Sequence, residues 1–295
     1  MNRFERKPEA QAEPQSEPLI RNISDTARWV AVYRARETER SDAVFRDPFA
    51  RRLAGERGEQ IANSRPLGTD MSWPMVARTY LIDELVAAEI VRGADTVINL
   101  AAGLDTRPYR MQFPPSLQWI EVDLPEILSH KEEILRTEKP VCALERIPIN
   151  LADVAARREV FEQLGRRSKR AVIITEGLVT YLSAEEVAGL AQDLAASRSF
   201  HSWILDMASP ALLRTLQKRQ VLNLKQAAPF KFAPDEGPTF FAKYGWNPAE
   251  VRSLLKAAAR IHRLPLFLLP FSWLPETETS RRSRPWSGVC RFVNQ

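Results

Sequence analysis

The run Val97-Ile98-Asn99-Leu100-Ala101-Ala102-Gly103-Leu104-Asp105-Thr106-Arg107 constrains this chain more than any other segment. Four largely apolar residues read as a buried strand. The small residues after them form a turn that leads into a charged helix start. Such a strand–turn–helix lets backbone N–H groups approach a nucleotide-like ligand closely. A second strand, Gln118 to Asp123, begins fifteen residues after Gly103 and closes on a carboxylate. In a doubly wound fold an acid at that position grips ribose hydroxyls. A G-x-G-x-x-G fingerprint would need glycine at Ala101 and Thr106, so a nicotinamide dehydrogenase is the weaker reading.

After Gly93 the pattern alternates strand and helix, which predicts an α/β fold with a mostly parallel sheet and helices on both faces. The expected strands are Thr96–Leu100, Trp119–Asp123, Cys142–Ile149, Ala171–Thr175 and Ser202–Met207. Two more are expected near Leu264–Pro270 and Trp286–Val293. Helices are expected from Ser24 or Asp25, over Pro48–Leu53, Met75–Val91, Asp153–Leu164, Ser183–Ser197 and Pro248–Ala259. Ser183 with Glu186 has capping-box spacing. Residues 1–18, rich in Glu, Gln and Pro, read as a flexible tail. Residues 19–92 read as an N-terminal helical lid. Residues 93–295 read as the core, with a lid insertion at about 207–240.

Three motifs, Ala101-Ala102-Gly103-Leu104-Asp105-Thr106-Arg107, Glu121-Val122-Asp123-Leu124-Pro125 and Thr175-Glu176-Gly177-Leu178-Val179-Thr180-Tyr181-Leu182, stand in this order. Together they resemble the leucine carboxyl methyltransferase family, with the likeness running from about Thr26 to Trp246. The resemblance implies a class I, Rossmann-like methyltransferase with a seven-stranded sheet whose last strand is antiparallel. It implies S-adenosyl-L-methionine as cofactor. It also implies O-methylation of a carboxylate or phenol on a small, polyketide-like molecule. Methylation of a protein's C-terminal carboxylate, or a non-catalytic binding protein on the same fold, are the alternatives.

Each polar group of that cofactor has a candidate. Asp123 offers an acceptor for the ribose diol, with Glu121 second because it alternates onto the same side of the strand. Its other reading is a cap for the helix after Leu124. Glu176, at a carboxyl strand end, matches the family's acceptor for the α-amino group. Arg78 matches the arginine that pairs the cofactor carboxylate, where a planar fork suits bidentate binding. Arg34 matches a second basic position. Ala102 and Gly103 belong to the turn, and Asn150-Leu151 stand where the family has Asp-Leu beside adenine. Arg107 is expected to organise the loop through Asp105 or Glu176. Tyr181 is the positioning candidate, and Trp29, Tyr33 and Trp203 are further aromatic candidates for an acceptor pocket. Ala101 replaces the first glycine of the family's turn.

The three histidines and two cysteines are scattered without metal spacing, so no metal site is expected. The net charge of +5 is not gathered into a long basic block, and Arg281-Arg282-Ser283-Arg284 reads as a solvated loop rather than a nucleic-acid patch. Leu264 to Trp273 is too short to span a membrane and holds two prolines. A cytoplasmic enzyme with a small-molecule acceptor, and neither nucleic-acid nor membrane partners, is the expectation.

Overall fold

The computed structural model describes residues 23–64, 72–218 and 229–295; the tail expected at 1–18 lies outside them. Three helices come first: α1 (Ile23–Thr38), α2 (Ala50–Asn63) and α3 (Ser72–Val91). The helix expected over Pro48–Leu53 continues to Asn63 with a kink at Gly55, where φ is 59°. Alternation then begins with β1 (Thr96–Leu100), α4 (Arg107–Arg110), β2 (Gln118–Asp123), α5 (Pro125–Leu135), β3 (Ala143–Pro148) and α6 (Val154–Arg167). It continues with β4 (Ala171–Thr175), α7 (Ala184–Ala195), β5 (Phe200–Ala208) and α8 (Pro210–Lys218). The chain closes with β6 (Trp246–Ser253), α9 (Leu254–Arg260), α10 (Leu269–Ser272), α11 (Glu278–Ser283) and β7 (Ser287–Asn294).

The seven strands form one sheet in the order β3-β2-β1-β4-β5-β7-β6. β7 runs antiparallel to both neighbours, and every other strand points the same way. β1 and β4 are buried at every residue, as strands covered on both faces must be. Alternate residues serve opposite faces: Ile98 and Leu100 pack with Phe161, Val187 and Leu190. Val97 packs with Leu81, Leu85 and Ala258 on the other. Helices α1, α2 and α5 share a third cluster built on Trp29, Val32, Leu53 and Ile127.

Local chemistry sets several boundaries. Asp153 caps α6 by accepting from the N–H groups of Ala155 and Ala156. Ser183 and Glu186 form the expected capping box of α7.

Two expected elements differ. Pro248–Ala259 is not one helix: its first half is the strand β6, paired with β7 through a register shift between Pro248 and Glu250. β6 is the outer strand of the sheet, where a residue lacking an N–H is tolerated. Cross-strand pairing therefore overrides the helical spacing of its side chains. Leu264–Pro270 is not a strand either. It forms a short 3-10 turn at Leu266–Leu268 followed by α10, and Pro265 and Pro270 supply no N–H for a ladder.

Candidate active site

The strand order reverses direction between β1 and β4, which opens a crevice at the carboxyl edge of the sheet. A cavity of about 1790 Å³ lies there. Arg34, Arg78, Ala102, Gly103, Asp123, Asn150, Leu151, Glu176 and Tyr181 all line it, although they come from parts of the chain up to 147 residues apart (Tyr181 minus Arg34). The crevice brings these nine residues together, whereas the further candidates Glu121, Tyr33 and Trp203 lie off its wall.

Asp123 ends β2 and accepts through one oxygen from Gly103 N–H (2.6 Å) and through the other from Leu124 N–H (2.7 Å). A carboxylate has about four acceptor sites, so two remain for a ligand. Burial pushes its carboxyl above the ordinary Asp value, against the two backbone hydrogen bonds. Glu121 faces the same side two residues deeper. It is fully buried and paired with Lys131 (2.6 Å) and Arg146 (2.9 Å), so it is an internal ion-pair centre and not a ligand residue.

Glu176 follows β4 and accepts from Arg78 Nε (3.0 Å) and Arg107 Nη1 (2.9 Å). Burial raises its carboxyl pKa, but Arg107 and Arg78 outweigh that and hold it below the ordinary value. Arg107 also donates to Asp83 (2.7 Å) and Asp105 (2.7 Å), and Arg110 adds two 2.8 Å bonds to Asp83. Asn99 donates to Asp105, tying the turn after β1 to this network.

Arg78 lies against the α-carbon of Gly177: a Cβ there would stand 3.4 Å from Nη1. That is an ordinary contact distance, so it is the backbone at Gly177, with φ +66°, that calls for glycine. One residue that the sequence left unmarked completes this group. Asp206, in β5, accepts from Gly177 N–H (2.6 Å) and Arg78 Nη1 (3.1 Å) and lines the cavity. The signal in the sequence is a carboxylate flanked by the apolar residues Trp203–Leu205 and Met207 near the carboxyl end of a strand.

Arg34 is largely committed to its neighbours, donating to Asp47 (2.8 Å) and to the Leu104 carbonyl. Thr106 bonds the same Asp47 carboxylate, so Arg34 braces the turn while lining the cavity. Asn150 accepts from Ala152 N–H (3.0 Å) and stands exposed between Ile149 and Leu151 on the cavity wall. Tyr181 hydrogen-bonds Thr26, and burial raises its phenol pKa although Arg78 opposes this. Its ring packs on Phe230 at 5.4 Å, and Lys231 N–H donates to the Thr180 carbonyl, joining the insertion to this wall. Trp29 lines the cavity, whereas Trp203 does not. Trp203 is fully buried among Phe241, Trp246 and Phe292, with its indole N–H on Thr175. Tyr33 is buried against Trp29 and is absent from the cavity wall.

Ala101 occupies the left-handed region with φ 53°. A Cβ costs about 1–2 kcal/mol there, whereas glycine adds about 0.5–1 kcal/mol of unfolded-state entropy. Ala101→Gly is therefore expected to raise stability by about 0.5–1 kcal/mol. Urea unfolding with an unchanged m value checks this, and a lower midpoint would show that the turn carries no strain at this residue.

The reversed β7, the helices on both faces and the ligand crevice over β1 and β4 define the class I methyltransferase architecture. Two solved structures share it. One is a DUF574-family protein of Streptomyces avermitilis (14% identity, TM-score 0.56, covering 90% of this chain and 96% of that one). The other is a Thermobifida fusca protein assigned as a methyltransferase (14%, TM-score 0.57, 95% and 97%).

The family model for leucine carboxyl methyltransferase matches residues 27–195. A Streptomyces coelicolor protein assigned as an S-adenosyl-L-methionine-dependent methyltransferase is 30% identical over 268 residues, spanning 86% of this chain and 90% of its own. A Mycobacteroides abscessus protein of the same assignment is 30% identical over 193 residues, where the match spans 60% of this chain and 62% of that protein. The chain belongs to the leucine carboxyl methyltransferase family, a family of S-adenosyl-L-methionine-dependent methyltransferases.

Proposed function

We propose that this protein transfers the methyl group of S-adenosyl-L-methionine to an oxygen of a small, polyketide-like acid, with a phenol as the second reading. The observation that carries it is the division of one cavity into two halves. Over β1, β2 and β4 stand Asp123, Glu176 and Arg78; over β5, β7 and the end of β6 stand Met207, Leu212, Leu216, Leu254 and Trp286.

The polar half suits the cofactor. Asp123 holds the ribose diol with its two remaining acceptor sites. Glu176, kept ionised by two arginines, accepts from the α-amino group, and Arg78 donates to the carboxylate from its remaining N–H groups. Leu124, Ile127, Leu151 and Leu190 offer an apolar slot for adenine, with Asn150 at its edge. When bound, the cofactor supplies a methyl group already activated on a sulfonium. The protein's task is then alignment of the acceptor, with reacting atoms about 3–3.5 Å apart.

None of the three histidines lines the cavity, and Tyr181 is held in its neutral form at ordinary pH. A carboxylate is ionised at neutral pH and needs no base, which favours an acid over a phenol. Tyr181, fixed by Thr26 and Phe230, positions the acceptor at the junction of the two halves.

Incubation with cofactor labelled in the methyl group and a panel of aromatic and aliphatic acids, phenols and peptides tests this. The expected product is an extractable ester that alkali cleaves to labelled methanol. An alkali-stable ether would move the activity to phenols. Labelled peptide carboxyl termini, or no transfer by protein that binds the cofactor, would overturn the small-molecule reading.

A further inference from the structure

β4 and β5 pair in parallel with Thr175 opposite Leu205, so Glu176 and Asp206 follow side by side at the carboxyl edge of the sheet. Both use one guanidinium: Arg78 donates to Glu176 from Nε (3.0 Å) and to Asp206 from Nη1 (3.1 Å). The pair belongs to a continuous chain of buried charges. Arg78, Arg107 and Arg110 face Asp83, Asp105, Glu176 and Asp206, and none of these side chains is more than 17% exposed. Three cations meet four carboxylates, and no further cation bridges the chain among the described residues. One negative charge is left over.

The charges around this chain cancel among themselves. Arg34 pairs with Asp47, Lys131 and Arg146 with Glu121 and Glu132, and Arg157 with Asp193. Glu276 is held by Arg281 (3.9 Å). Glu185, Glu186, Lys231 and Arg284 also line the cavity, but they are exposed and solvent screens them. Asp123, which accepts from two backbone N–H groups, adds a further carboxylate. The protein's own charges therefore make the polar half of the crevice anionic.

Asp206 stands at the seam of the two halves. Arg78 and Gly177 bond it from the polar half, whereas the next residue of β5, Met207, lines the apolar half with Trp286. A methyl group passing from cofactor to acceptor crosses this seam, so the sulfonium that carries it belongs there. The cofactor bears a carboxylate, an ammonium and a sulfonium, one net positive charge. In transfer the bond from sulfur to methyl breaks, its electron pair stays on sulfur, and the methyl group goes to the acceptor oxygen. The spent cofactor, S-adenosyl-L-homocysteine, is a thioether with no net charge.

We propose that Asp206 is the specificity residue by which this site distinguishes S-adenosyl-L-methionine from S-adenosyl-L-homocysteine. Its carboxylate opposes the charge of the sulfonium and finds no counterpart in the thioether. Such a pairing is stronger in a partly buried crevice than in water. Transfer thus loosens the hold on the spent cofactor and favours its exchange. The assignment rests on the cofactor lying in the polar half, as proposed above, and not on which oxygen accepts the methyl group.

Calorimetric titration with both compounds tests this without turnover. Wild type is expected to bind S-adenosyl-L-methionine about tenfold more tightly than S-adenosyl-L-homocysteine. In Asp206→Asn the amide oxygen still accepts from Gly177 N–H, so the turn is kept while the charge is removed. This variant is expected to bind S-adenosyl-L-methionine about tenfold more weakly, and S-adenosyl-L-homocysteine within about twofold of wild type. An analogue with an ammonium in place of the sulfonium should follow S-adenosyl-L-methionine in both proteins. Asp123→Asn should weaken all three compounds alike, because they share the ribose.

Equal affinity of wild type for the two compounds would overturn the proposal, whatever the variants do. So would an Asp206→Asn that weakens both by one factor, since Asp206 would then act only by placing Arg78 and Gly177. An analogue that follows S-adenosyl-L-homocysteine would also overturn it, because the site would then read the methyl group and not the charge. If Asp123→Asn alters none of the three affinities, the cofactor lies outside the polar half, and that reading fails together with this one.

Discussion

Arg107→Met is expected to destabilise the protein by about 3–5 kcal/mol, the cost of removing one partner from a buried ion-pair network. Arg107 is 1% exposed and serves Asp83, Asp105 and Glu176 at once. Some compensation survives: Asp83 keeps Arg110, Asp105 keeps Asn99 and a backbone N–H, and Glu176 keeps Arg78. The loss therefore belongs toward the lower end of that range. Arg107→Lys should recover little, because an ammonium cannot reach three carboxylates in a planar fork.

The effect carries a pH signature. Burial alone would raise the carboxyls of Asp105 and Glu176, but Arg107 and its neighbours hold both below their ordinary values. Carboxylates depressed in the folded state stabilise it above their unfolded values of about 3.9 and 4.3, and that contribution is lost as pH falls through the folded values. The gap between wild type and Arg107→Met should thus be widest near neutrality and shrink on acidification. Urea unfolding at neutral and acid pH measures it. A gap under about 1 kcal/mol at neutral pH would mean that the network contributes little to stability.

The parts of the structure legible in the sequence were those specified locally. β4 is an apolar run up to Thr175 and β1 one from Val97 broken only by Asn99, because both faces are covered, and their five-residue length with β-branched Val and Ile suits a strand rather than a helix. The capping box of Ser183 and Glu186 is complete within four residues. β6 was illegible because its strand character comes from pairing with β7, some forty residues further on, and not from its own spacing.

The site divides in the same way. Asp123 and Glu176 stand at strand ends within recognisable motifs. Asp206 acquires its role only when the end of β5 meets Gly177 after β4, a register that no local pattern states. Glu121 shows the opposite limit. Alternation gives the face a side chain takes but not its depth, and two residues of depth turn a ligand candidate into an internal ion pair.

The cofactor half of the site makes the second large prediction. Asp123→Ala is expected to weaken S-adenosyl-L-methionine binding by about 10²–10³-fold. Hydrogen bonds to a charged acceptor contribute about 1.5–3 kcal/mol each, and two are lost at a carboxylate that is only partly buried. The same substitution removes the acceptors of Gly103 and Leu124 N–H, so part of the loss passes through the turn itself.

Asp123→Asn separates these contributions. The amide oxygen keeps an acceptor but not the charge, and its expected loss is about tenfold. Because burial raises the Asp123 carboxyl, wild-type affinity should fall on acidification at a pH above the ordinary Asp value of about 3.9. The asparagine variant should lack that inflexion. Calorimetric titration across pH, with circular dichroism to verify the fold, distinguishes the cases. If Asp123→Ala binds the cofactor within a few-fold of wild type, the ribose is held elsewhere and Asp123 is only the brace between the turn after β1 and the start of α5.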